Sequence, residues 1–549
     1  MAHASTSHPA GGGTPRELEH NLIERVCVGD IVTRAADVFA DRPAIIDGNR
    51  TFSFRELNRQ ANRLGHALLG LGLKHGDVVG VMARNCAEVL ITYFGCAKAG
   101  LVCAPVNLGL RGEEIAYCLR DARARVLIVD GALVEAAKGL PAHLPELDRV
   151  YCTGDVQADI PKSAGTFASL VGSGGDAELE VLIGDRDPVQ LLYTSGTTAK
   201  PKGVVASHLA VTICALSSAI ANRSTPESSI LVTLPLFHCA LLNGGSIPAL
   251  TVGAAVVLMP AFDAARAAEL IERHRIRTTV FLPVMYAALL ADPAVRARNL
   301  SSVTRAIYAM APMPQERLKA IHDLFPSADV VLGSGQTEFT PPNTYQRPEH
   351  QWNKAGSWGP PTSMTRAAIM SDDGRLLPRG EVGELVYRGP QVMSGYLNQP
   401  QATDESFRHG WFHSGDIAWM DEEGVIWFTD RKKDMIKTGG ENVASIEVER
   451  CLMEHPAVAE AAALGLPHAR WGEAVTAMVV LKPGAQADEA TLLAHARDRL
   501  AGFKVPKAIL FEKEFPRTGT GKIQKHVMRE RLRNLYANAD AADAGREKR

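Results

Sequence analysis

Leu191-Leu-Tyr-Thr-Ser-Gly-Thr-Thr-Ala-Lys-Pro-Lys-Gly-Val204 packs three threonines and a serine around Gly196 and follows them with Lys200 and Lys202. A small loop rich in hydroxyls and free N–H groups can wrap phosphates, and lysines neutralise their charge. It is not a Walker loop, because the GxxxxGK[ST] spacing fails. By composition alone the stretch reads equally well as a polar surface turn, so its surroundings must decide.

Upstream, Ala44–Ile46 reads as a short strand that turns at Gly48-Asn49 into Thr51–Phe52. Ser53 and Glu56 form a capping box. The helix they open lines one face with Leu57, Ala61, Leu64, Leu68 and Leu71 and stops near Gly72. Asp77–Val81 reads as a strand and Ala87–Lys98 as the next helix. Similar strand-then-helix units recur at Val126–Asp130, Ile230–Leu234, Ala254–Leu258, Thr278–Leu282 and Val330–Leu332. That pattern predicts largely parallel, helix-covered sheets. After about Gly380 the segments shorten and alternate around glycine turns: Gly383–Tyr387, Asp416–Trp419 and Val425–Thr429. They predict a small antiparallel or barrel-like piece. Beyond the charged break Arg431-Lys-Lys-Asp434, an α+β part is expected. Its elements are a helix at Ser445–Met453, strands at Ala457–Gly465 and Ala474–Leu481, a helix at Glu489–Leu500 and a strand at Ala508–Phe511. The expected fold class is therefore α/β. A large N-terminal domain, residues 1–431, holds helix-covered sheets and the barrel-like part; a small α+β domain, residues 432–549, follows. Residues 1–18 and 538–549 are expected to be disordered.

The chain has 549 residues, 46% apolar and 22% charged, which excludes collagen-like, disulfide-scaffold and wholly disordered classes. Lys plus Arg is 59 against 61 Asp plus Glu, so no large basic surface, and no nucleic-acid partner, is expected. Nine cysteines without a CxxC or Cys/His metal spacing predict reduced thiols in a cytoplasm. The longest apolar run, Ile247–Phe262, contains Pro248, Gly253 and Pro260. It is too short and broken to span a bilayer and reads as a buried strand with flanks, so no transmembrane segment is expected. The first residues hold no apolar core of a signal peptide.

The order of residues in 191–204 closely resembles the phosphate-binding signature of the adenylate-forming superfamily, in its AMP-forming acyl-CoA synthetase branch. The resemblance continues in order along nearly the whole chain. Pro235-Leu-Phe-His238 is similar to the gate segment, Tyr308-Ala-Met-Ala-Pro-Met313 to the turn beside the acyl pocket, and Gly333-Ser-Gly-Gln-Thr-Glu338 to the adenine and metal motif. Gly383-Glu-Leu385 with Gly395-Tyr396, Trp411-Phe-His-Ser-Gly-Asp416, Asp430-Arg-Lys-Lys-Asp-Met-Ile-Lys437 and Pro516-Arg-Thr-Gly-Thr-Gly-Lys522 resemble the later signatures, the last two being the hinge and the terminal lysine loop.

The resemblance implies roles. Thr194, Ser195, Gly196, Thr197, Thr198 and Lys202 would hold the ATP phosphates, with Gly333 and Ser334 beside the adenine and Thr337 at the α-phosphate. Glu338 would ligate Mg2+, a hard cation suited to oxygen donors. Asp416 would take the ribose hydroxyls and Arg431 the ribose or phosphate. Lys522 would bridge carboxylate and nucleotide during attack on the α-phosphorus. Lys433 would be the hinge of a mobile small domain. After rotation Lys437, Gly439 and Gly440 would face the pantetheine arm of coenzyme A, and His238 would gate the tunnel. The acid would lie among His238, Met285, Ala309, Met310 and Gln336.

Three positions depart from the pattern. Ala199 replaces a glycine of the phosphate loop, Ser334 replaces the aromatic that stacks on adenine, and Ala309-Met310 replaces a Gly-Gly at the pocket wall. Without compensation a lost stacking platform weakens nucleotide binding by about 1–3 kcal/mol. Bulk at the wall disfavours a long fatty chain, and Gln336 stands ready to hydrogen-bond a polar substrate group. The expected enzyme activates a medium-chain, aryl or arylacrylic acid with ATP and passes it to coenzyme A, as a monomer or homodimer acting alone. A rival expectation keeps adenylation but changes the acceptor, to an amine or carrier protein, or to nitrite activation with an aromatic amine. A third, a degenerate nucleotide-binding scaffold, conflicts with the retention of Lys202, Glu338, Asp416, Arg431 and Lys522.

Overall fold

In the computed structural model of the protein, residues 14–154, 159–194, 200–309, 313, 315–517 and 522–536 are described. The chain divides into two compact units. One comprises Met1–Ala367 with Tyr387–Phe412, the other Ala368–Val386 with His413–Arg549. This division does not follow the expected boundary at residue 431. Residues 368–386 and 413–431 join the C-terminal part because their strands build one four-stranded sheet.

The N-terminal unit holds two eight-stranded sheets. In one, strand Pro43–Asp47 runs parallel to Ala255–Leu258. Ser229–Val232, Thr278–Phe281, Arg305–Ala309 and Asp329–Ser334 continue the parallel order. Arg50–Ser53 and Thr344–Tyr345 close its edges antiparallel. In the other, Val78–Met82 pairs parallel with Val102–Pro105 and Ala124–Val129. Pro188–Thr194 joins it on one side of Val102–Pro105 and leads antiparallel into Lys202–Ser207. The quoted stretch is thus the end of a β-hairpin, a pairing that the sequence pattern did not announce.

Helix Ala87–Lys98 shows why the two sheets share one core. All twelve of its residues are buried, and it touches Pro43–Asp47 of one sheet as well as Val78–Met82 and Val102–Pro105 of the other. A helix apolar on nearly every face belongs inside, and its two charged residues, Glu88 and Lys98, are paired with Arg50 and Glu178. It packs on Phe54–Gly70 at two small residues: a Cβ on Gly65 would lie 3.1 Å from the Gly95 carbonyl, and one on Gly95 would lie 3.1 Å from that of Ala61. Helix Phe54–Gly70 starts at the expected capping box. Ser53 Oγ accepts from Glu56 N–H at 3.2 Å, and Glu56 Oε2 accepts from Ser53 N–H at 2.8 Å. Such a cap contributes about 1 kcal/mol.

Two local expectations change. Residues 14–18 are not frayed. Thr14 and Glu17 make a second capping box, with Pro15 in the first turn, and open the helix Pro15–Glu24. Asn21 ties that helix down by exchanging hydrogen bonds with Ile183, at 2.7 and 3.0 Å. The apolar run from Ile247 contains the strand Ala255–Leu258, but its first part is the helix Ile247–Thr251, ended before Gly253 at φ +82°. Residues 538–549 lie outside the described residues. None of the nine cysteines forms a disulfide. Among the described residues no helix is long and apolar enough to cross a membrane.

The C-terminal unit holds most of the sheet of Arg366–Met370, Gly383–Arg388, Phe412–Met420 and Ile426–Arg431. It also has a five-stranded sheet in which Val458–His468 pairs antiparallel with Gly472–Leu481 and Ala508–Phe511 runs parallel to the latter. Helices Ser445–Met453 and Glu489–Arg497 supply Val448, Leu452 and Leu492 to its core.

Candidate active site

In the N-terminal unit the site grows from the hairpin. Thr194 and Lys202 are cross-strand partners, and Thr194 Oγ1 donates to the Lys202 carbonyl at 3.4 Å. Ser195, Gly196, Thr197 and Thr198 lie outside the described residues. Strand Lys202–Ser207 also pairs with Gly395-Tyr396, which sets the Tyr396 ring beneath the Lys202 ammonium, 4.8 Å from the centroid. Tyr396 Oη then donates to Glu338 Oε1 at 3.0 Å. Burial, together with the Glu338 carboxylate, pushes the Tyr396 phenol far above its ordinary range, so it remains a donor. Lys202, Tyr396 and Glu338 thus form one chain of contacts linking a cation to a carboxylate. Lys200 lies over a second ring, Tyr117, at 5.2 Å.

Glu338 stands in the short 3-10 turn Thr337–Phe339. Asn343 fixes that turn: its Oδ1 accepts from Gln336 N–H at 3.1 Å and its Nδ2 donates to the Phe339 carbonyl at 2.7 Å. Thr337 is buried, with its Oγ1 3.2 Å from Cys239 Sγ. The neighbouring His238 caps the turn Cys239–Leu241, and its Nδ1 accepts from Ala240 N–H at 3.2 Å. A neutral His238 therefore carries its proton on Nε2. A π-helical turn, Leu242–Ser246, follows; such turns recur at functional sites.

The chain Lys202–Tyr396–Glu338 and the pair Thr337–Cys239, next to His238, thus meet through Glu338 and Thr337. Ala309 and Gly333 sit side by side as cross-strand partners, with Ser334 next in the strand. A Cβ on Gly333 would lie 3.0 Å from the Tyr345 ring, a tight contact that the ring would have to relieve by a small shift. That ring is buried and its hydroxyl donates to Asn222 at 2.7 Å. Met285 packs at the edge of the main core from helix Pro283–Ala291. Gln336 is half-buried, and Met310 lies outside the described residues.

In the C-terminal unit Asp416 and Arg431 are cross-strand partners, joined from Arg431 Nε to Asp416 Oδ1 at 2.7 Å with Asp416 buried. Glu384 braces the turn before Asp416. It accepts from Gly415 N–H at 3.2 Å and pairs with His413 and Lys432, each at 3.1 Å. Lys437 and Asn442 are partners in the hairpin that turns through Gly439 and Gly440, at φ +59° and +86°. These angles suit glycine. Gly439 N–H donates to the Trp471 carbonyl at 2.8 Å. Lys433 has its pKa lowered, first by desolvation and, against the pull of Asp434, by the charges of Arg431, Arg529 and Lys522. The Lys522 charge is thus felt at Lys433.

The sequence reading omitted Tyr396 and Cys239 as site residues. Tyr396 stood in a quoted motif, but nothing in the spacing shows that its hydroxyl reaches Glu338. Among the described residues no group of three or more His, Cys, Asp or Glu is arranged to hold a metal ion.

A family profile described as AMP-binding enzyme matches residues 32–397, and one described as AMP-binding enzyme C-terminal domain matches 447–522. The chain is 35% identical over 500 residues to an indoleacetate–CoA ligase of Aromatoleum aromaticum, covering 91% of this chain and 97% of that one. It is also 35% identical over 505 residues to a feruloyl-CoA synthase of an Amycolatopsis species, covering 92% and 99%. Among solved structures, an anthranilate CoA ligase in complex with anthranoyl-AMP superposes with a TM-score of 0.85 at 29% identity, covering 93% and 98%.

Proposed function

The chain belongs to the AMP-binding enzyme family and is an AMP-forming ligase of its acyl-CoA synthetase branch, and from that premise we propose that it activates an aryl, arylacrylic or medium-chain carboxylic acid. In the first step the carboxylate oxygen attacks the α-phosphorus of ATP, the bond to the β-phosphate breaks and pyrophosphate leaves. In the second the thiol of coenzyme A attacks the acyl carbon, and AMP leaves with the oxygen it gained from the acid.

The observation that carries this reading is the chain from Lys202 through Tyr396 to Glu338 beside the hairpin loop. It sets a phosphate-neutralising ammonium and a hard carboxylate within one contact network, which suits a metal–triphosphate. Glu338 is the residue that would hold Mg2+. A lone carboxylate fits an ion that takes most of its ligands from phosphates and water, and the bound ion would neutralise phosphate charge. Lys202 and Thr194 hold the β- and γ-phosphates, Thr337 the α-phosphate, and Asp416 and Arg431 the ribose. Lys522 steadies the charge that develops as the carboxylate attacks. Lys433 is the hinge about which the part beyond residue 431 turns, bringing Lys437, Gly439 and Gly440 to the thiol step, with His238 as gate. The acid lies beside Ala309, Met310, Met285 and Gln336. The names of the indoleacetate and ferulate relatives favour an aromatic acid.

The test is pyrophosphate release with ATP and Mg2+ on indoleacetate, ferulate, anthranilate and octanoate, each with and without coenzyme A, plus nitrite with an arylamine. Release on an aryl acid, with the acyl-CoA mass appearing only when coenzyme A is present, is expected. Release only with nitrite would overturn the substrate reading and leave adenylation standing.

A further inference from the structure

Helix Lys525–Arg531 begins three residues after Lys522 and is fastened at two points four residues apart, Lys525 to Ser445 and Glu449 and Arg529 to Asp434. At the first point Lys525 is largely buried. Its Nζ donates to Ser445 Oγ at 2.6 Å and pairs with Glu449 at 2.6 Å. Ser445 N–H in turn donates to the Asp430 carboxylate, which is buried and also feels the Lys525 charge. Glu449 Oε1 accepts a further bond from Ala463 N–H at 2.9 Å. At the second point Arg529 Nη2 pairs with Asp434 Oδ1 at 3.2 Å.

The two aspartates flank a tight turn. Asp434 N–H and Met435 N–H both donate to the Arg431 carbonyl, at 2.9 and 3.0 Å, and Lys433 sits inside that turn. The two fastenings therefore differ in kind. Asp434, Arg529 and Lys525 all follow Lys433, so the Arg529 tie lies on one side of it. Asp430 precedes Lys433 while Ser445, Glu449 and Lys525 follow it, so the first tie spans it. If the backbone swings at Lys433, the Arg529 tie and the Lys525 contacts to Ser445 and Glu449 are carried along, and the bond from Ser445 N–H to Asp430 must break. With both closed, Lys522 lies within electrostatic reach of Lys433 together with Arg431. Both cations are thus felt at Lys433.

We propose that Lys525 is a positioning residue for the adenylation step. Through Ser445 it latches the Lys522 loop to Asp430 across Lys433, and the latch opens before the acyl-transfer step. Asp430, Ser445 and Glu449 complete the latch, and Arg529 does not select between the two steps. This inference rests on the roles proposed above for Lys522 and Lys433.

The experiment measures the two half-reactions separately in the full-length enzyme. ATP–pyrophosphate exchange reports adenylation, and acyl-CoA formation from preformed acyl-AMP reports transfer. Both use the acid of the panel above that gives the fastest wild-type release. Lys525→Met leaves Glu449 without its ammonium, so Lys525→Met with Glu449→Gln serves as a second variant that removes both charges. In each, kcat for adenylation is expected to fall about tenfold or more, with KM for ATP within about threefold and transfer from acyl-AMP undiminished. Arg529→Gln is expected to hold the ratio of the two rates within about twofold while lowering the melting temperature. Hydrogen exchange, which needs no substrate, should show loss of protection in 523–531 and 445–449 for the double variant and none in 202–207. Equal loss of both half-reactions, or unchanged adenylation with increased exchange, would overturn the latch. Lys522→Ala in the same assays separates the two readings. Retained adenylation there removes the role of Lys522, whereas lost adenylation with an unchanged ratio in the Lys525 variants removes the latch alone.

Discussion

In the N-terminal unit the charged groups of the site have partners on fixed backbone. Lys202 lies over Tyr396, Tyr396 donates to Glu338, and the turn bearing Glu338 is pinned by Asn343. The C-terminal unit is arranged differently. Arg431, Lys433 and Arg529 stand about one turn, with Asp416 and Asp434 as paired carboxylates, and burial first, then the charges of Arg431, Arg529 and Lys522, lowers the proton affinity of Lys433. The first arrangement is held by contacts among its own side chains and backbone. The second gathers several cations about Lys433, and under the proposed function an incoming polyphosphate would meet them. Under the proposed function the contrast separates a platform that binds from an arm that acts.

The sharpest way to break that contrast is at Lys522. Lys522→Ala should lower adenylation by roughly 10²–10³-fold, the loss typical of removing one donor to developing charge. Because Lys522 is exposed in a loop, the melting temperature should not move. A comparable loss of stability would mean that Lys522 is structural and that the arm is no different from the platform.

The rigidity of the platform is tested by pH. His208 is buried at the start of helix His208–Asn222 and accepts from Val28 N–H through Nδ1 at 3.0 Å. Burial pulls its pKa down to about 4. Between that value and the ordinary one near 6.5 the unfolded chain binds the proton more readily, so stability is present above about 6.5 and is lost as pH falls towards 4. The loss should be at most about 3 kcal/mol, and His208→Gln should flatten the slope of melting temperature against pH. An identical slope in the variant would show that other groups control the acid limb.

A third change sharpens the nucleotide half of the comparison. Ser334→Phe restores a stacking ring beside Gly333 and should tighten ATP binding by about 1–2 kcal/mol, read as a lower Kd by calorimetry. No change in Kd would mean that another group already fills that role. The smallest effect is expected at Tyr396. Tyr396→Phe keeps the ring under Lys202 and removes only the bond to Glu338, so Kd for Mg-ATP should rise by about 1 kcal/mol, with kcat falling less.

Much of this was legible in the sequence because it is local. The capping box at Ser53 and Glu56, the helix Ala87–Lys98 and the strand Ala508–Phe511 follow from spacing and propensity, and the structure has them where they were expected. The ordered motifs carried the family, which the profiles and relatives bear out. What was not legible is non-local or cooperative. The pairing of Lys202–Ser207 with Gly395-Tyr396 joins segments about 190 residues apart, and only that pairing brings Tyr396 to Glu338. The helix at Pro15–Glu24 was masked by its polar, uncrowded composition, although Thr14 and Glu17 had the spacing of a cap. The Asp430–Ser445–Lys525 contact spans 95 residues of chain and rests on burial, which charge patterning alone does not reveal.

The central claim is that a carboxylate oxygen becomes an AMP oxygen. An acid that supports pyrophosphate release, labelled with heavy oxygen in its carboxylate, can be turned over with ATP, Mg2+ and coenzyme A, and the products weighed. The account predicts AMP carrying one labelled oxygen and pyrophosphate carrying none. Unlabelled AMP, or label in a free phosphate product, would contradict it.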